Sequence, residues 1–337
     1  MTNWKPCLRQ LILNLFIALA NLYSVSIVLI LMLRALVGEQ WSLINLFNSF
    51  GHWLIMPALL LLPVVVVLRR GWLALLLAMP VVVFLWNYGI QFIPRSAVAM
   101  RDMPVFIVLT HNVYADTNDY AARLALIKQA DADVVAFQEL TNEASDYLAN
   151  GLKTDYPYQA MHPQIGYAGQ GILSKLPITS DDYWQLSRGH QRAVLQVGGK
   201  PITIYNIHPA PPGLSLTGSD SSLRGAEIDE LLVRFQGESA PLLIIGDLNL
   251  TDLTDDYARL TASYHDVYRE VGWGMGFTYP NFSATRARVN FVPALARIDY
   301  IFHDNNFVPL EARVLPDSGG SDHFPLYAVL ALKQAPS

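Results

Sequence analysis

The sequence contains a single cysteine, Cys7, which excludes an intramolecular disulfide and any metal site built from paired cysteines. Charge is also scarce, and it is unevenly placed. Of 23 basic and 28 acidic side chains in 337 residues, only six precede residue 95. The remaining 18 basic and 27 acidic side chains give the rest of the chain a formal charge of −9. The chain therefore joins an apolar N-terminal third to an acidic, water-soluble remainder.

The acidic remainder also lacks the glycine-rich loops that cradle phosphates. Neither GxGxxG nor GxxxxGK[ST] occurs beyond residue 94, and no GxSxG turn presents a serine nucleophile. Catalytic groups must therefore be sought among carboxylates, amides and imidazoles.

Three long apolar runs fill the N-terminal third. Residues 11–33, 50–68 and 71–93 carry no Asp, Glu, Lys or Arg, and a membrane-spanning helix needs roughly 20 such residues. The first run is too long for a signal peptide and ends without a small-residue cleavage site. The sequence therefore predicts a three-helix transmembrane anchor over residues 1–93, with a buried soluble helical hairpin as the alternative.

Basic residues near the ends of these runs predict the orientation of the anchor. Lys5 and Arg9 place the N-terminus in the cytoplasm, while Arg34 alone argues the opposite. Arg69 and Arg70 place the second turn in the cytoplasm as well. We therefore expect a multi-pass protein of a bacterial-type inner or cell membrane, with the acidic domain extracytoplasmic.

Strand and helix patterns alternate after a linker of residues 94–104. Apolar, β-branched runs predict strands at 105–109, 134–137, 194–197, 202–207, 242–245, 300–302 and 326–332, and helical spacing predicts helices at 121–130 and 221–235. This order predicts an α/β domain over residues 105–337. Strands buried on both faces favour two packed sheets, although periodicity alone does not separate that arrangement from one open sheet.

Polar residues recur just beyond or at the ends of these strands. They are Asn112, Gln138, Glu139, His208, Asp247, Asn249, Asp299, Asp322 and His323. Any one of them alone is typical of a turn or a helix cap. A set of hard-oxygen ligands and imidazoles at several strand ends instead predicts one shared rim.

The segments THNVY, FQEL, NIHPA, GDLNL, RIDYIF and SDHFPL carry these residues, in this order. The ordered set resembles the successive motifs of the endonuclease/exonuclease/phosphatase superfamily over nearly all of residues 105–332. The resemblance implies a four-layered α/β sandwich of two mixed sheets flanked by helices. It also implies metal-dependent hydrolysis of a phosphoester or phosphoanhydride bond.

The resemblance further implies a metal site. Glu139 would be the principal ligand of Mg²⁺, with Mn²⁺ as an alternative, since Mg²⁺ prefers oxygen donors. Asn112 would complete or support its coordination, and Asp322 would add a carboxylate to the metal region.

The remaining motif residues would act on the phosphate. Asp247 would orient and deprotonate the attacking water, and Asn249 would hold a phosphate oxygen beside it. His208 and His323 would bind the other non-bridging oxygens. Asp299 would fix the tautomer of His323 and favour its protonated form.

Two further residues are weaker candidates for substrate binding. Arg192 precedes a central strand, where an ion-pairing or packing role is as well supported as phosphate contact. Tyr279 lies in GWGMGFTYP, which resembles a substrate-side loop of the family, although its aromatic residues are also typical of packing. His111 would point to the opposite face of its strand from Asn112, which predicts a structural role.

The charge of the domain separates the candidate substrates. A domain at −9 without a Lys/Arg cluster lacks the electrostatic surface that nucleic-acid binding needs. An anchored site instead faces a lipid bilayer, and the layout is similar to bacterial membrane proteins linked to glycopeptide (teicoplanin) resistance. We therefore expect a lipid-linked phosphate or pyrophosphate as substrate, and the sequence identifies no protein partner.

Three other functions stay open from sequence alone. They are a sphingomyelinase-like phospholipid phosphodiesterase, a surface nuclease, and a membrane scaffold that uses an inactive catalytic fold. An inactive fold would be expected to lack Glu139, Asp247 or His323, whereas all three are present.

The predicted orientation is tested with two reporters fused after Ser337. Alkaline phosphatase folds into an active enzyme outside the cytoplasm, so we expect an active phosphatase fusion. A fluorescent protein that matures only in the cytoplasm should stay dark. A bright fluorescent fusion with an inactive phosphatase would place the catalytic domain in the cytoplasm.

Overall fold

The computed structural model describes residues 4–93, 103–215, 218–285 and 292–333. The chain divides into two compact units. One comprises Met1–Ile90 with Leu214–Ser219, and the other comprises Gln91–Gly213 with Asp220–Ser337.

Helices form the first unit. They are α1 (Trp4–Val37), α2 (Ser42–Ile55), α3 (Pro57–Val67) and α4 (Gly71–Tyr88), followed by a 3₁₀ turn at Gly89–Phe92. Large apolar side chains such as Leu22, Val67 and Trp86 are exposed on them. An apolar surface of this extent on a soluble protein would be unusual. Two helices, Cys7–Val37 and Gly71–Phe92, are long and apolar enough to cross a membrane.

The second predicted span differs from the structure. We expected one helix over residues 50–68, whereas α2 and α3 are bent by 45° at a break between them. Pro57 opens α3 and has no N–H to donate to the preceding turn, so the helix cannot continue straight. The hydroxyl of Tyr23 donates to the carbonyl of Leu54 beside this break. The described helices therefore provide two candidate spans, or three if the bent pair crosses as one.

Strands and short helices alternate in the second unit. The strands are β1 (Val105–Asn112), β2 (Val134–Gln138), β3 (Tyr158–His162), β4 (Gln170–Ser174), β5 (Ile178–Gln185), β6 (Gly189–Val197), β7 (Lys200–Ile207), β8 (Gly213–Ser215), β9 (Gly218–Asp220), β10 (Leu242–Asp247), β11 (His265–Asp266), β12 (Asp299–His303), β13 (Phe307–Val314) and β14 (Leu326–Leu332). The helices are α5 (Tyr120–Ala130), α6 (Asn142–Leu152), α7 (Ser222–Gln236), α8 (Asp255–Thr261) and α9 (Val267–Val271). Part of the β8–β9 hairpin belongs to the first compact unit.

Two six-stranded sheets organise this unit. Their strand orders are β13-β14-β1-β2-β4-β3 and β11-β12-β10-β7-β6-β5. Each sheet contains one parallel pair, β1 with β2 and β7 with β10, among antiparallel neighbours. Both sheets are therefore mixed, as predicted.

The main core lies between the sheets. Val108, Val134 and Ile172 from the first sheet and Ile204 and Leu243 from the second belong to one fully buried cluster. The outer face of the first sheet packs against α5 and α6, and the outer face of the second packs against α7 and α8. The prediction of two mixed sheets flanked by helices is thus confirmed.

The registers bring the ends of several strands together. Asn112 lies opposite Gln138 in the parallel β1–β2 pair, and Gly246 lies opposite Ile207 in the parallel β7–β10 pair. Asp247, the last residue of β10, lies opposite Asp299 at the start of β12. The polar residues that end these strands therefore share one edge of the sandwich.

Gly246 occupies a position that no other residue fits. Its φ is +139°, and a Cβ placed there would lie 2.0 Å from the carbonyl oxygen of Ile207 on the neighbouring strand. We expect Gly246→Ala to destabilise the protein by at least about 3 kcal/mol, because backbone strain and a clash add. A helix-interior control, Gly225→Ala, meets only ordinary contacts and should stabilise by up to about 1 kcal/mol. Thermal unfolding of the full chain in detergent compares the two, and equal midpoints would contradict this account.

Candidate active site

The polar residues predicted from the strand ends lie together at this edge. Asn112, His208, Asp247, Asp299, Asp322 and His323 are buried, whereas Glu139 and Asn249 are partly exposed. The buried residues come from several elements. Asn112 ends β1, His208 follows β7, Asp247 ends β10, Asp299 begins β12, and Asp322 and His323 lie in the loop that leads into β14. The cluster therefore draws on strands of both sheets.

Asp247 lies at the centre of the cluster. Its Oδ2 accepts a hydrogen bond from Nδ2 of Asn112 at 2.9 Å. The same oxygen lies 3.5 Å from Nε2 of His208 and 3.7 Å from Nε2 of His323. One carboxylate oxygen thus faces an amide and two imidazoles. Burial raises the pKa of Asp247 to about 7, against the opposing effect of His323.

Glu139 lies beside this centre and has a left-handed backbone, with a φ of +59°. Its Oε1 accepts from Nδ2 of Asn112 at 3.2 Å, and its Oε2 accepts from the backbone N–H of Ala115 at 3.1 Å. His208 Nε2 lies 3.8 Å from Oε1. The strained backbone therefore turns the Glu139 carboxylate toward the amide and imidazole that also face Asp247.

Asn249 has the same left-handed conformation, with a φ of +53°. Its backbone N–H donates to Oδ1 of Asp247 at 3.0 Å, and its Nδ2 donates to the carbonyl of Pro209 at 3.1 Å. Its own carbonyl accepts from Nη1 of Arg224, a buried arginine paired with Asp256. Arg224 thus fixes the turn that holds Asn249 beside Asp247.

The two histidines of the cluster have opposite electrostatic surroundings. His323 Nδ1 lies 2.9 Å from Oδ2 of Asp299. Burial alone would lower the pKa of His323, but Asp299 and Asp247 outweigh it and raise the pKa to about 10. Burial lowers the pKa of His208 well below its usual value, and the charge of Arg188 adds to this effect. His323 is therefore cationic and His208 neutral at pH 7.

The cluster has the donor set of a site for a divalent cation. The cluster contains four carboxylates (Glu139, Asp247, Asp299 and Asp322) and a single protonated imidazole, that of His323. Burial raises the pKa of Asp322 to about 6, and among the described residues its Oδ1 has no hydrogen-bond partner. Asp247, Asp299 and His323 each offer a ligand atom within 4.8 Å of the others. Because Asp299 already accepts from a protonated His323, the carboxylates outside this pair are better placed to bind metal.

Tyr279 belongs to the cluster, whereas Arg192 does not. The Tyr279 ring lies 4.7 Å from the His323 ring, and its pKa is raised to about 12, chiefly by burial and then by Asp322. The guanidinium of Arg192 forms two hydrogen bonds with Glu238, at 2.5 and 2.8 Å. Arg192 therefore has the ion-pairing role that sequence left open, and the structure pairs it with Glu238 and not with the carboxylates of the cluster. His111 is buried in the strand face opposite Asn112, as its position predicts.

Sequence reasoning named Gln138 as a strand-end residue but missed Asn206 and the buried amide network that the two form behind the cluster. Gln138 Nε2 donates to Oδ1 of Asn206 at 2.6 Å, and Asn206 Nδ2 donates to the carbonyls of Phe137 and Gly171. Gln138 precedes Glu139, and Asn206 lies two residues before His208. The signal was present, since both amides lie within the motifs FQEL and NIHPA.

Sequence reasoning also missed three residues on the rim, Asp116, Tyr167 and Arg188. Tyr167 donates to Oδ2 of Asp116 at 3.3 Å, and the Arg188 guanidinium lies 4.6 Å from the centre of the Tyr167 ring. All three lie in loops without apolar periodicity, so no pattern pointed to them.

The raised pKa values predict how stability depends on pH without added metal. His323 has an unfolded value of 6.5 and a folded value of about 10, so its stabilising contribution is complete below pH 6.5. This contribution is lost as the pH rises toward 10, at up to about 1.4 kcal/mol per pH unit. The raised pKa values of Asp247 and Asp322 likewise make the protein less stable as the pH rises. This loss occurs between pH 3.8 and the folded pKa values of about 7 for Asp247 and about 6 for Asp322.

We therefore expect the thermal midpoint of the full chain, in detergent and EDTA, to fall from pH 6.5 to 9.5. His323→Gln should flatten this fall, because the group that loses a proton is gone. The exposed His265→Gln serves as the matched control and should keep the wild-type profile. A His323→Gln profile parallel to wild type would contradict the raised pKa.

The chain is similar to one family of known proteins and to several solved structures. The family model described as "Endonuclease/Exonuclease/phosphatase family" matches residues 109–323. No curated protein matches the chain. Several solved structures match about two thirds of the chain at between 16% and 22% identity, which shows a shared fold.

Three of these structures illustrate the likeness. A functionally unknown conserved protein from Enterococcus faecalis V583 is 22% identical, with 67% of this chain and 100% of that chain covered and a TM-score of 0.56. An endonuclease/exonuclease/phosphatase from Bacteroides vulgatus is 19% identical, with 68% and 99% covered and a TM-score of 0.55. D. rerio TDP2, complexed with a single-strand DNA product, is 20% identical, with 67% and 98% covered and a TM-score of 0.55.

The matched region begins within β1 and ends at His323, so it contains every strand end of the cluster. Because the family model covers more than half of the sequence, the chain belongs to the endonuclease/exonuclease/phosphatase family.

Proposed function

We propose that this chain is a Mg²⁺-dependent phosphoesterase that hydrolyses a lipid-linked phosphate or pyrophosphate at a membrane surface. Residues 1–93 would form the anchor, residues 94–104 the linker and residues 105–337 the catalytic domain. The observation that carries this proposal is the Asp247 oxygen that faces Asn112, His208 and His323 beside Glu139. Members of this family are generally hydrolases of phosphoester bonds.

Glu139, Asn112 and Asp322 would hold the cation. They offer oxygen donors of the kind Mg²⁺ prefers, and Mn²⁺ is an alternative for the same donors. The excess of carboxylates over cations in the cluster and the unpartnered Oδ1 of Asp322 among the described residues both fit a bound cation. Such an ion would supply Lewis-acid polarisation of a phosphate oxygen and neutralise developing charge.

Asp247 would orient the attacking water and accept its proton at Oδ2. The hydrogen bond from Asn112 fixes this oxygen, and the backbone N–H of Asn249 fixes Oδ1 of the same carboxylate. A raised pKa of about 7 suits a general base that works near neutral pH. Asn249 Nδ2 would hold a phosphate oxygen next to the water.

The two histidines would bind the non-bridging oxygens in different ways. His323, held cationic by Asp299, would oppose the negative charge that grows on the phosphate in the transition state. His208 is neutral and would donate a hydrogen bond through Nε2. Because these donors are fixed by burial before substrate binds, little reorganisation is needed during the reaction.

Charge and location favour a membrane-borne substrate. A catalytic segment at −9 lacks the basic surface that releases counterions from a nucleic-acid backbone. Two or three helices long and apolar enough to cross a membrane would keep the site near lipid head groups. We further propose that the catalytic domain faces the extracytoplasmic side, from the basic residues at the ends of the apolar runs.

Other functions of the same fold have less support. The likeness to D. rerio TDP2, at 20% identity, shows the fold and not its substrate. A scaffold with an inactive fold would not need the complete set of carboxylates and imidazoles in one cluster. A phospholipid phosphodiesterase stays the alternative whose chemistry the cluster also fits.

The test compares substrates at equal Mg²⁺ and low salt, with the full chain in detergent. We expect turnover of polyprenyl pyrophosphate or monophosphate in mixed micelles, and little cleavage of single- or double-stranded DNA. Sphingomyelin and phosphatidylcholine complete the panel. DNA cleavage without lipid turnover would identify a surface nuclease instead.

Two substitutions separate the roles of the carboxylates. Asp247→Asn should lower turnover about 10²- to 10⁴-fold with the Mg²⁺ requirement largely kept, because a general base is lost. Glu139→Gln should raise the Mg²⁺ concentration needed for half-maximal activity. Glu143→Gln, the same change on the exposed side of α6, is the matched control and should behave as wild type. Wild-type turnover in both active-site variants at saturating Mg²⁺ would show that these roles are wrong.

A further inference from the structure

Arg188 is held at the rim of the cluster by two independent sets of contacts. It ends the turn between β5 and β6, where its carbonyl accepts from the N–H of Leu186 at 2.9 Å. The buried carboxylate of Glu227 accepts from the N–H of Ser187 at 2.7 Å and from the N–H of Ala210 at 2.6 Å. The turn that carries Arg188 is therefore tied to the loop that follows His208.

The second set of contacts joins this turn to the loop of Tyr167. The carbonyl of Ala168 lies where a Cβ on Gly189 would be, at 1.8 Å, so the two loops pack without a side chain between them. Tyr183 donates to the same carbonyl at 3.1 Å, and Gln170 donates to the carbonyl of Gly189 at 2.7 Å. Loops from the two sheets are thus locked together on one side of the cluster.

The Arg188 guanidinium has a fixed position but no ionic partner. It lies over the Tyr167 ring, 4.6 Å from its centre, and the Tyr167 hydroxyl is held by Asp116. Ion pairs engage six other arginines of the second unit, namely Arg192, Arg224, Arg234, Arg259, Arg297 and Arg313. Within the described residues no carboxylate lies within 4.0 Å of the Arg188 guanidinium.

The position of Arg188 relative to the catalytic groups is defined by the sheet. His190 pairs with Ile207, so Gly189 lies next to His208 across the two strands, and Arg188 follows one residue further out. Arg188 is partly exposed, whereas His208 is fully buried. An anion bound to the guanidinium would therefore lie outside the buried cluster and beside the phosphate held within it.

From this geometry we infer that Arg188 binds a second phosphate next to the scissile one and so selects a diphosphate substrate. The inference rests on the proposed function and narrows it from lipid phosphates to lipid diphosphates. Stacking on Tyr167 leaves the planar fork of the guanidinium free to contact phosphate oxygens in pairs. It also covers the aromatic face that a choline head group would need. A phosphocholine lipid would in addition meet a like charge at the rim.

Binding of small phosphonates tests the inference without relying on turnover. The full chain in detergent and saturating Mg²⁺ is titrated calorimetrically with methylenediphosphonate and with methylphosphonate. The wild-type protein should bind methylenediphosphonate more tightly than methylphosphonate. Arg188→Gln should lose roughly tenfold to hundredfold in diphosphonate affinity, as expected for charge-assisted hydrogen bonds. Its affinity for methylphosphonate should change less than about threefold.

Two further variants serve as controls. Arg313 is also stacked over a tyrosine ring, Tyr327 at 4.3 Å, but it pairs with Glu311, and both of these charged side chains are exposed. Arg313→Gln removes the same charge from the same unit and should keep wild-type affinity for both phosphonates. Arg188→Lys keeps the positive charge but loses the planar guanidinium, which donates paired hydrogen bonds. Its affinity for methylenediphosphonate should therefore lie between those of wild type and Arg188→Gln.

The kinetic arm uses polyprenyl pyrophosphate and polyprenyl monophosphate. In Arg188→Gln the ratio of kcat/KM for pyrophosphate over monophosphate should fall by a similar factor, mainly through KM. An equal loss for both phosphonates would mean that Arg188 contacts the scissile phosphate, and it would overturn the inference. Unchanged affinities, or a wild type without diphosphonate preference, would overturn it as well. A diphosphonate preference that needs Arg188, with DNA cleaved and no lipid turned over, would keep the subsite and refute the lipid substrate.

Discussion

The burial of the Asp247 carboxylate is the constraint on which the site depends. A buried carboxylate is costly unless donors compensate it, and here the donors come from strands of both sheets. Asn112 reaches it from β1, His208 from the end of β7 and His323 from the loop before β14. Because no single sheet supplies all of these groups, the cluster exists only when the two sheets are packed in register.

A second layer of polar contacts holds that register. The bond between Gln138 and Asn206 crosses from the first sheet to the second within the apolar core. Asn206 continues to the carbonyls of Phe137 and Gly171, so its amide group is fully used. A buried network of this kind specifies one arrangement, since any slip leaves several polar groups unpaired. Gln138 is adjacent to Glu139 and Asn206 lies two residues before His208, so the same contacts help to orient these two side chains of the cluster.

The features of the fold and of the site that the sequence predicted are those set by neighbouring residues in the chain. An apolar strand that ends in a polar residue is a local pattern, and it predicted the strand ends that carry Asn112, Glu139 and Asp247. The role of Arg192 was harder to predict. It depends on the strand pairing of Arg192 with Tyr205 and on its ion pair with Glu238, which is more than 40 residues away in the chain. The edge strand β5, with the exposed sequence ITSDDYWQ, has no apolar alternation and was not predicted.

The N-terminal helices show the same limit of prediction from sequence. Apolar length predicted helices over residues 11–33 and 71–93, and α1 and α4 contain most of both ranges. Length does not report where a helix bends, and Pro57 divides the middle run into α2 and α3. Residues on the rim such as Tyr167 and Arg188 could not be predicted from the sequence, for another reason. Tyr167 lies in the loop between β3 and β4 of the first sheet and Arg188 in the turn between β5 and β6 of the second, so their proximity depends on how the two sheets pack.

The two histidines show how one residue type acquires two roles in one cluster. Both rings are buried, and burial by itself disfavours the charged form of each. Asp299, 2.9 Å from His323, reverses that preference, whereas the charge of Arg188 reinforces it at His208. The cluster thus combines one fixed imidazolium with four carboxylates, an excess of negative charge that would repel a phosphate. A divalent cation removes this repulsion, so metal and phosphate should each strengthen the binding of the other.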